Sequence, residues 1–346
     1  MGVAEAGAPS AFDVLKGGER AAIVALADEA RARLAVAIAD LGDGQAALLA
    51  AMPVAWAVDA LDRAARKPGL GGVSDGLGVI AGRLRAEGRV WSETFARLLT
   101  YETLAMLPRR EAVLNVPRIA WPDIEKGLAA VLRDTAAGMF TDWDEEFFEK
   151  DMAVARLAVI GAEGRIVRIE RWSPAYLSKA SPLPLKLRLA AYLRRDYFRK
   201  GNYSRRHQWR GYREVLRQPF AVTMEKDAAT VAVNPQIDGV LGFGWVFDPA
   251  LRDVSPHLME VPDGFAEMGG KGFYQPADAL SVQRAITSSR RRKELYDAGK
   301  YRPINYGLFV ARRDVVRWVR ARNLDERGAG ASAAAAPTEQ EQPAAT

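Results

Sequence analysis

The chain has 346 residues, 49% of them apolar and 27% charged, which suits one or two globular domains with a real core and argues against wholesale disorder. Cysteine is absent and only two histidines occur, His207 and His257, which excludes disulfides, thiolate chemistry, cysteine-ligated zinc, iron–sulfur clusters and histidine-rich metal sites. The net charge of +6 is unevenly shared: residues 1–150 carry 17 basic and 22 acidic side chains, net −5, while residues 151–346 carry 32 and 21, net +11.

Residues 1–16 read as a flexible N-terminus. They lack the basic stretch and apolar run of a secretory signal, and Ala6 stands where a myristoylation motif needs Ser or Thr. A cytoplasmic location is therefore expected.

From 17 to 150 the apolar spacing follows the helical period. Ile23, Leu26, Ala30, Leu34, Ile38 and Leu41 recur at steps of three and four, so they share one face, with Asp28, Glu29, Arg31 and Arg33 off it. The apolar run Ala46–Val58 is interrupted by Pro53 and is shorter than the ~18 residues of a membrane span, which argues against a membrane role. Pro53 and Gly69–Gly72 read as breaks, and Ser74 or Asp75 as the cap of a helix over 75–87. Ser92 starts another helix, with Phe95, Leu98, Leu99 and Met106 on its apolar side. Pro122 suits a first helical turn, followed by Ile124, Leu128, Val131 and Leu132.

Near 151 the period changes, and residues 151–326 read as a basic α+β region. Met152–Ile160 and Arg165–Trp172, separated by Gly161–Gly164, give a hairpin signal. Two basic helices are expected at 183–200 and 203–218, parted by Gly201-Asn202. Strands are expected at Phe220–Glu225, Thr230–Val233, Val240–Phe247 and Ile304–Ala311, with a helix near 278–298 and a last helix over Asp314–Asn323. Residues 327–346 have no aromatic or large aliphatic side chain and read as a disordered tail. The expected fold class is thus α+β: a helical N-terminal region, a mixed α+β region and a disordered C-terminal tail.

Three motifs weaken on inspection. Asp142 and Asp144 have the oxygen chemistry for a hard cation, but EF-hand spacing is absent and a capped helix start explains the acids, so no metal site is assigned. Gly72-Val73-Ser74-Asp75-Gly76 matches the nucleophile elbow, yet no strand precedes it. Around Lys271, the phosphate-loop pattern fails because Phe265 replaces its first glycine and Gly272 its Ser or Thr. A Gly-rich turn between strands is the simpler reading. No catalytic residue is assigned, and no cofactor is called for.

The strongest constellation is Lys186–Arg217, with eleven basic and two acidic residues among interleaved aromatics. Here Arg194, Arg195, Arg199, Lys200, Arg205, Arg206, Arg210 and Arg213 are candidate phosphate contacts, and Trp209 is a candidate base-stacking platform. A second cluster, Arg290–Arg322, ends in a helix that lines up Arg313, Arg317 and Arg320 away from Val315, Trp318 and Val319. Arginine outnumbers lysine 38 to 11, so a solvated basic surface in an Arg-rich composition competes with any functional reading. The leading expectation is a protein that binds nucleic acid or another polyanion. The alternatives are an assembly protein with an acidic protein partner, or an enzyme on an anionic small molecule with Asp142, Asp144 or Lys271 near the chemistry.

Overall fold

The computed structural model describes residues 18–43, 54–64, 70–88, 91–109, 114–138, 145–158, 160–162, 165–172, 201–208, 220–275 and 277–324. Within them the chain is α+β. Six helices come first: α1 (Gly18–Ala39), α2 (Val54–Ala64), α3 (Leu70–Ala86), α4 (Glu93–Ala105), α5 (Trp121–Ala136) and α6 (Glu145–Ala155). A mixed sheet with further helices follows.

The helical stripes pack as their spacing implies. On α1, Ile23, Leu26, Ala30 and Leu34 are buried, while Ile38, at the trailing edge of the stripe, is 45% exposed. Each step of four overshoots a full turn by about 40°, so consecutive steps carry a residue toward the edge. Ser92 caps α4 by accepting a hydrogen bond from the Phe95 amide at 3.2 Å. Pro122 lies in the first turn of α5, and its predicted stripe is buried.

Two helices correct the reading. α3 begins at Leu70, so Ser74 sits inside the helix rather than at its start. Val73, Ile80 and Leu84 are at most 1% exposed, and their burial outweighs the poor helix propensity of the glycines at 71, 72 and 76. α6 runs through Met152–Ala155, where a strand was expected. Those residues are buried all round, and an apolar run without alternation does not distinguish strand from helix. Leu157 (φ 51°) then turns the chain, and the Ala158 amide donates to Ala153 O at 2.9 Å.

The sheet runs β1 (Ile160–Ala162), β2 (Arg165–Trp172), β3 (Gly201–Gln208), β4 (Gly239–Gly244), β5 (Lys271–Gln275) and β6 (Asn305–Ala311), in the spatial order β1-β2-β3-β4-β6-β5. All pairs are antiparallel except β3–β4. The hairpin signal holds for β1 and β2, with Ala162 opposite Arg165.

Between and after the strands lie α7 (Phe220–Val233), α8 (Leu251–Val254), α9 (Glu260–Glu267), α10 (Ala279–Thr287), α11 (Arg290–Asp297) and α12 (Arg312–Ala321). α7 replaces the two strands expected at 220–225 and 230–233. Met224, Ala228 and Val231 fall at helical steps on its buried side, and the Thr230 hydroxyl, itself buried, is satisfied by donating to Lys226 O at 2.8 Å. The single helix expected near 278–298 is two, because Asp278 caps α10 and Ser289 caps α11. Gly264 belongs to α9, so only Gly269-Gly270 forms the turn before Lys271.

One buried apolar cluster joins both parts of the chain, from Ile23 on α1 through Leu128 on α5 to Val310 on β6 and Val319 on α12. Val240, Leu308 and Val310 contribute one side of the sheet to it. On the other side Tyr203, Leu241 and Phe309 form a separate small cluster, with Tyr203 edge-on to Phe309 at 5.2 Å. No helix among the described residues is long and apolar enough to cross a membrane.

Candidate functional site

The two basic clusters meet different fates. Of the first, Arg194, Arg195, Arg199, Lys200, Trp209, Arg210 and Arg213 lie outside the described residues, as do the expected helix at 183–200 and the carboxylates Asp142 and Asp144. Residues 203–208 correct the reading. They belong to β3, not to the start of a helix, and β3 as a whole, Gly201–Gln208, pairs along all of β2. The register sets Arg205 opposite Arg168 and Arg206 opposite Val167. β2 supplies a long β-branched partner at 165–172, and that pairing outweighs local helix propensity.

The second cluster is fully described and splits by helix. On α11 the charge is largely answered in place. Arg290 pairs with Glu294 at 2.8 Å, Lys293 with Asp297 at 2.7 Å, and Arg291 donates to Asp253 O at 3.3 Å.

On α12 the arginines divide into anchors and an exposed row. Arg312 donates to Ala232 O at 2.7 Å, which satisfies a carbonyl at the negative end of α7. Arg322 stacks over Trp318 at 4.5 Å and pairs with Glu225 at 3.6 Å and with Glu267. Val315 and Val319 are buried. Arg313, Arg317 and Arg320, at steps of four and three, are all exposed, as the sequence spacing implies. The side chains of Arg313 and Arg317 are 64% and 77% exposed. Asp314 lies between two of them, 3.7 Å from Arg313 and 3.2 Å from Arg317.

The turn before β5 passes close to the start of this helix. Gly269 (φ 83°) ends α9 in the left-handed region, and a Cβ placed there would lie 3.7 Å from the Asp314 Cβ. At Gly270 a Cβ would sit 2.4 Å from Phe265 O, so only glycine fits. The Gly-rich stretch thus serves close packing, and Lys271 opens β5 opposite Phe309.

A set of groups with displaced pKa values lies nearby in the fold, and sequence reading missed it. Asp248, Arg292 and Tyr301 are 1%, 3% and 4% exposed. Arg292 donates to Ala285 O at 2.7 Å, Ser255 Oγ at 2.8 Å and Ser288 Oγ at 2.8 Å, and lies over the Trp245 ring at 4.8 Å. Burial holds its guanidinium below the usual arginine range. Asp248 accepts from the Ala250 amide at 2.9 Å and the Ile304 amide at 3.2 Å, and burial pushes its carboxyl above the usual range despite those bonds. Burial and the neighbouring Asp248 push the Tyr301 phenol up, while Arg292 opposes this.

Convergence of an arginine, a carboxylate and a phenol is what an anion-processing enzyme needs, but this set is closed. Its polar atoms are turned onto the loop at 245–256 and the α10–α11 pair, so it acts as a clasp that fixes α11 against α8. Nothing but the ordinary run Arg290–Lys293 marks Arg292 in the sequence, because its acceptors lie as many as 37 residues away. Among the described residues no group of three or more His, Asp or Glu side chains is placed to hold a metal ion. No family model, curated protein or solved structure matches this chain.

Proposed function

We propose that this protein binds nucleic acid through its phosphates, with the Arg313, Arg317 and Arg320 row of α12 as one contact surface. The basic segment 186–217 is the second. The observation that carries the reading is the row itself: three guanidinium groups exposed along one helix whose other side is buried. Guanidinium groups at this spacing neutralise successive phosphates and release condensed counterions. A region of net +11 favours association with any polyanion, and a cytoplasmic location is consistent with such a partner.

The test is fluorescence anisotropy with mixed-sequence single-stranded and duplex oligonucleotides across a salt series. Replacing Arg313, Arg317 and Arg320 together with glutamine should weaken binding to all sequences alike. It should also flatten the logarithmic salt slope on duplex by about two to three, at ~0.9 per lost phosphate contact. Equal affinity and an equal slope in wild type and variant would remove α12 from the interface. The same substitution at Arg205, Arg206 and Arg210 reads the contribution of the first cluster.

A further inference from the structure

The arginine row of α12 stands on a helix held in place from several sides. Arg312 donates to Ala232 O at 2.7 Å, and Val315 and Val319 are at most 1% exposed within the core that both parts of the chain share. Arg322 fastens the far end through Glu225 at 3.6 Å and through Glu267. The exposed Arg313, Arg317 and Arg320 therefore project from a fixed backbone, and little backbone ordering opposes binding at the row.

At ~1.5 Å per residue the row is about 10.5 Å long, in steps of about 6 and 4.5 Å. Over that length a nucleic-acid duplex presents about six phosphate charges, and one of its strands only about three. Denser phosphate condenses more counterion, so each contact releases more of it on duplex, ~0.9 ions against ~0.7 on a single strand. Ala321, also exposed, lies one turn beyond Arg317, and its methyl group is too short to stand in front of the guanidinium groups.

A single strand makes up for its lower charge density by stacking bases on aromatic faces. The one aromatic residue of α12, Trp318, is turned away from the row. At ~100° per residue it lies between about 100° and 160° around the helix from the three arginines. Its ring packs against the shared core, its Nε1 is buried, and Arg322 lies over it at 4.5 Å. A base stacking there would have to pull Arg322 off two carboxylates. The row thus offers charge without a stacking platform.

We propose that the α12 row selects duplex nucleic acid over single strands, lying along the phosphate backbone and sensing its charge density without touching base faces. This rests on the phosphate-binding reading above and adds to it the form of the ligand. Phosphates are alike at every step, so the row carries no sequence preference of its own.

The test is fluorescence anisotropy on the full chain near physiological salt, with a mixed-sequence duplex and with oligo(dT) of equal length, which does not pair with itself. Replacing Arg313, Arg317 and Arg320 together with glutamine should lower duplex affinity about a hundredfold, from three contacts at ~0.9 ions each, and oligo(dT) affinity about threefold or less. An unchanged unfolding midpoint is expected, because exposed arginines contribute little to stability. A loss on oligo(dT) as large as that on duplex would overturn the duplex selection and leave the phosphate-binding reading standing. A loss on neither ligand would overturn both. Trp318→Leu, checked to be folded at the assay temperature, should bind oligo(dT) as wild type does. A fall of about tenfold, the scale of a lost stacking platform, would show that bases reach this ring and would overturn the proposal.

Discussion

Asp248 shows what one residue's surroundings do that its identity does not announce. A lone Asp before Pro249 reads as a turn residue, and it does accept from the Ala250 amide as turn residues do. Its raised carboxyl comes from burial under Tyr301 and the Ile304 strand entry, which no local pattern encodes. The folded chain therefore holds this proton at pH values where the unfolded chain has released it. Stability from this group is present at low pH and is lost as pH rises from the ordinary value of 3.8 through the raised native one. Urea unfolding of wild type and Asp248→Asn across this range should show the variant gaining relative to wild type as pH rises, then a constant difference. A difference that is flat throughout, or that changes in the opposite sense, would show that Asp248 is not held protonated by the fold.

Among the elements, those whose apolar residues keep a clear period were legible in the sequence, and those that are buried all round were not. α1, α5 and α12 show one buried side and one wet side, and the spacing of Ile23, Ile124 and Val315 gives them away, while α4, with no exposed residue, was legible from its Ser92 cap. α7 and the end of α6 are rich in Val, Ala and Met without alternation, so composition suggested strands where the chain is helical. β3 was missed for the opposite reason: its residues look helical and polar, and only the pairing with β2 makes them a strand. The exposed row on α12 was legible because it lies on a clearly amphipathic helix. The contact between Ser74 and Glu149 was not, because the two meet across 75 residues of chain.

α3 makes this argument quantitative, for it is a helix despite five glycines among its 17 residues. Packing of Val73, Ile80 and Leu84 sustains it, so a better helix former at an unconstrained site should add stability directly. Gly82 is exposed, and an added Cβ there meets nothing within 4 Å. Gly82→Ala should stabilise the fold by about 0.5–1 kcal/mol, read as a higher urea midpoint with an unchanged slope. A loss of stability would mean that the α3 surface is covered at this point.

At the scale of the whole molecule, the acidic helical part and the basic sheet part are stitched along one seam. Asn234, fully buried after α7, accepts from the Asn115 amide at 2.8 Å and donates to Asn115 O at 2.7 Å. Beside it, Lys226 of α7 reaches Asp123 of α5 at 2.6 Å, with both side chains at most 12% exposed. The apolar cluster running from α1 to α12 passes through the same seam, so the two parts share a core. Lys226→Met strands the Asp123 carboxylate in that core and should cost about 3–5 kcal/mol, because a buried charge without its partner is far worse than no charge. Joint replacement, Asp123→Leu with Lys226→Met, should recover most of the loss, since desolvation offsets much of what a buried pair contributes. Far-ultraviolet circular dichroism reports mainly the helices, and hydrogen exchange at β4 and β6 reports the sheet. Both should show the same midpoint shift in Lys226→Met. A shift confined to one of them would mean that the seam does not couple the two parts, and that they fold as independent units.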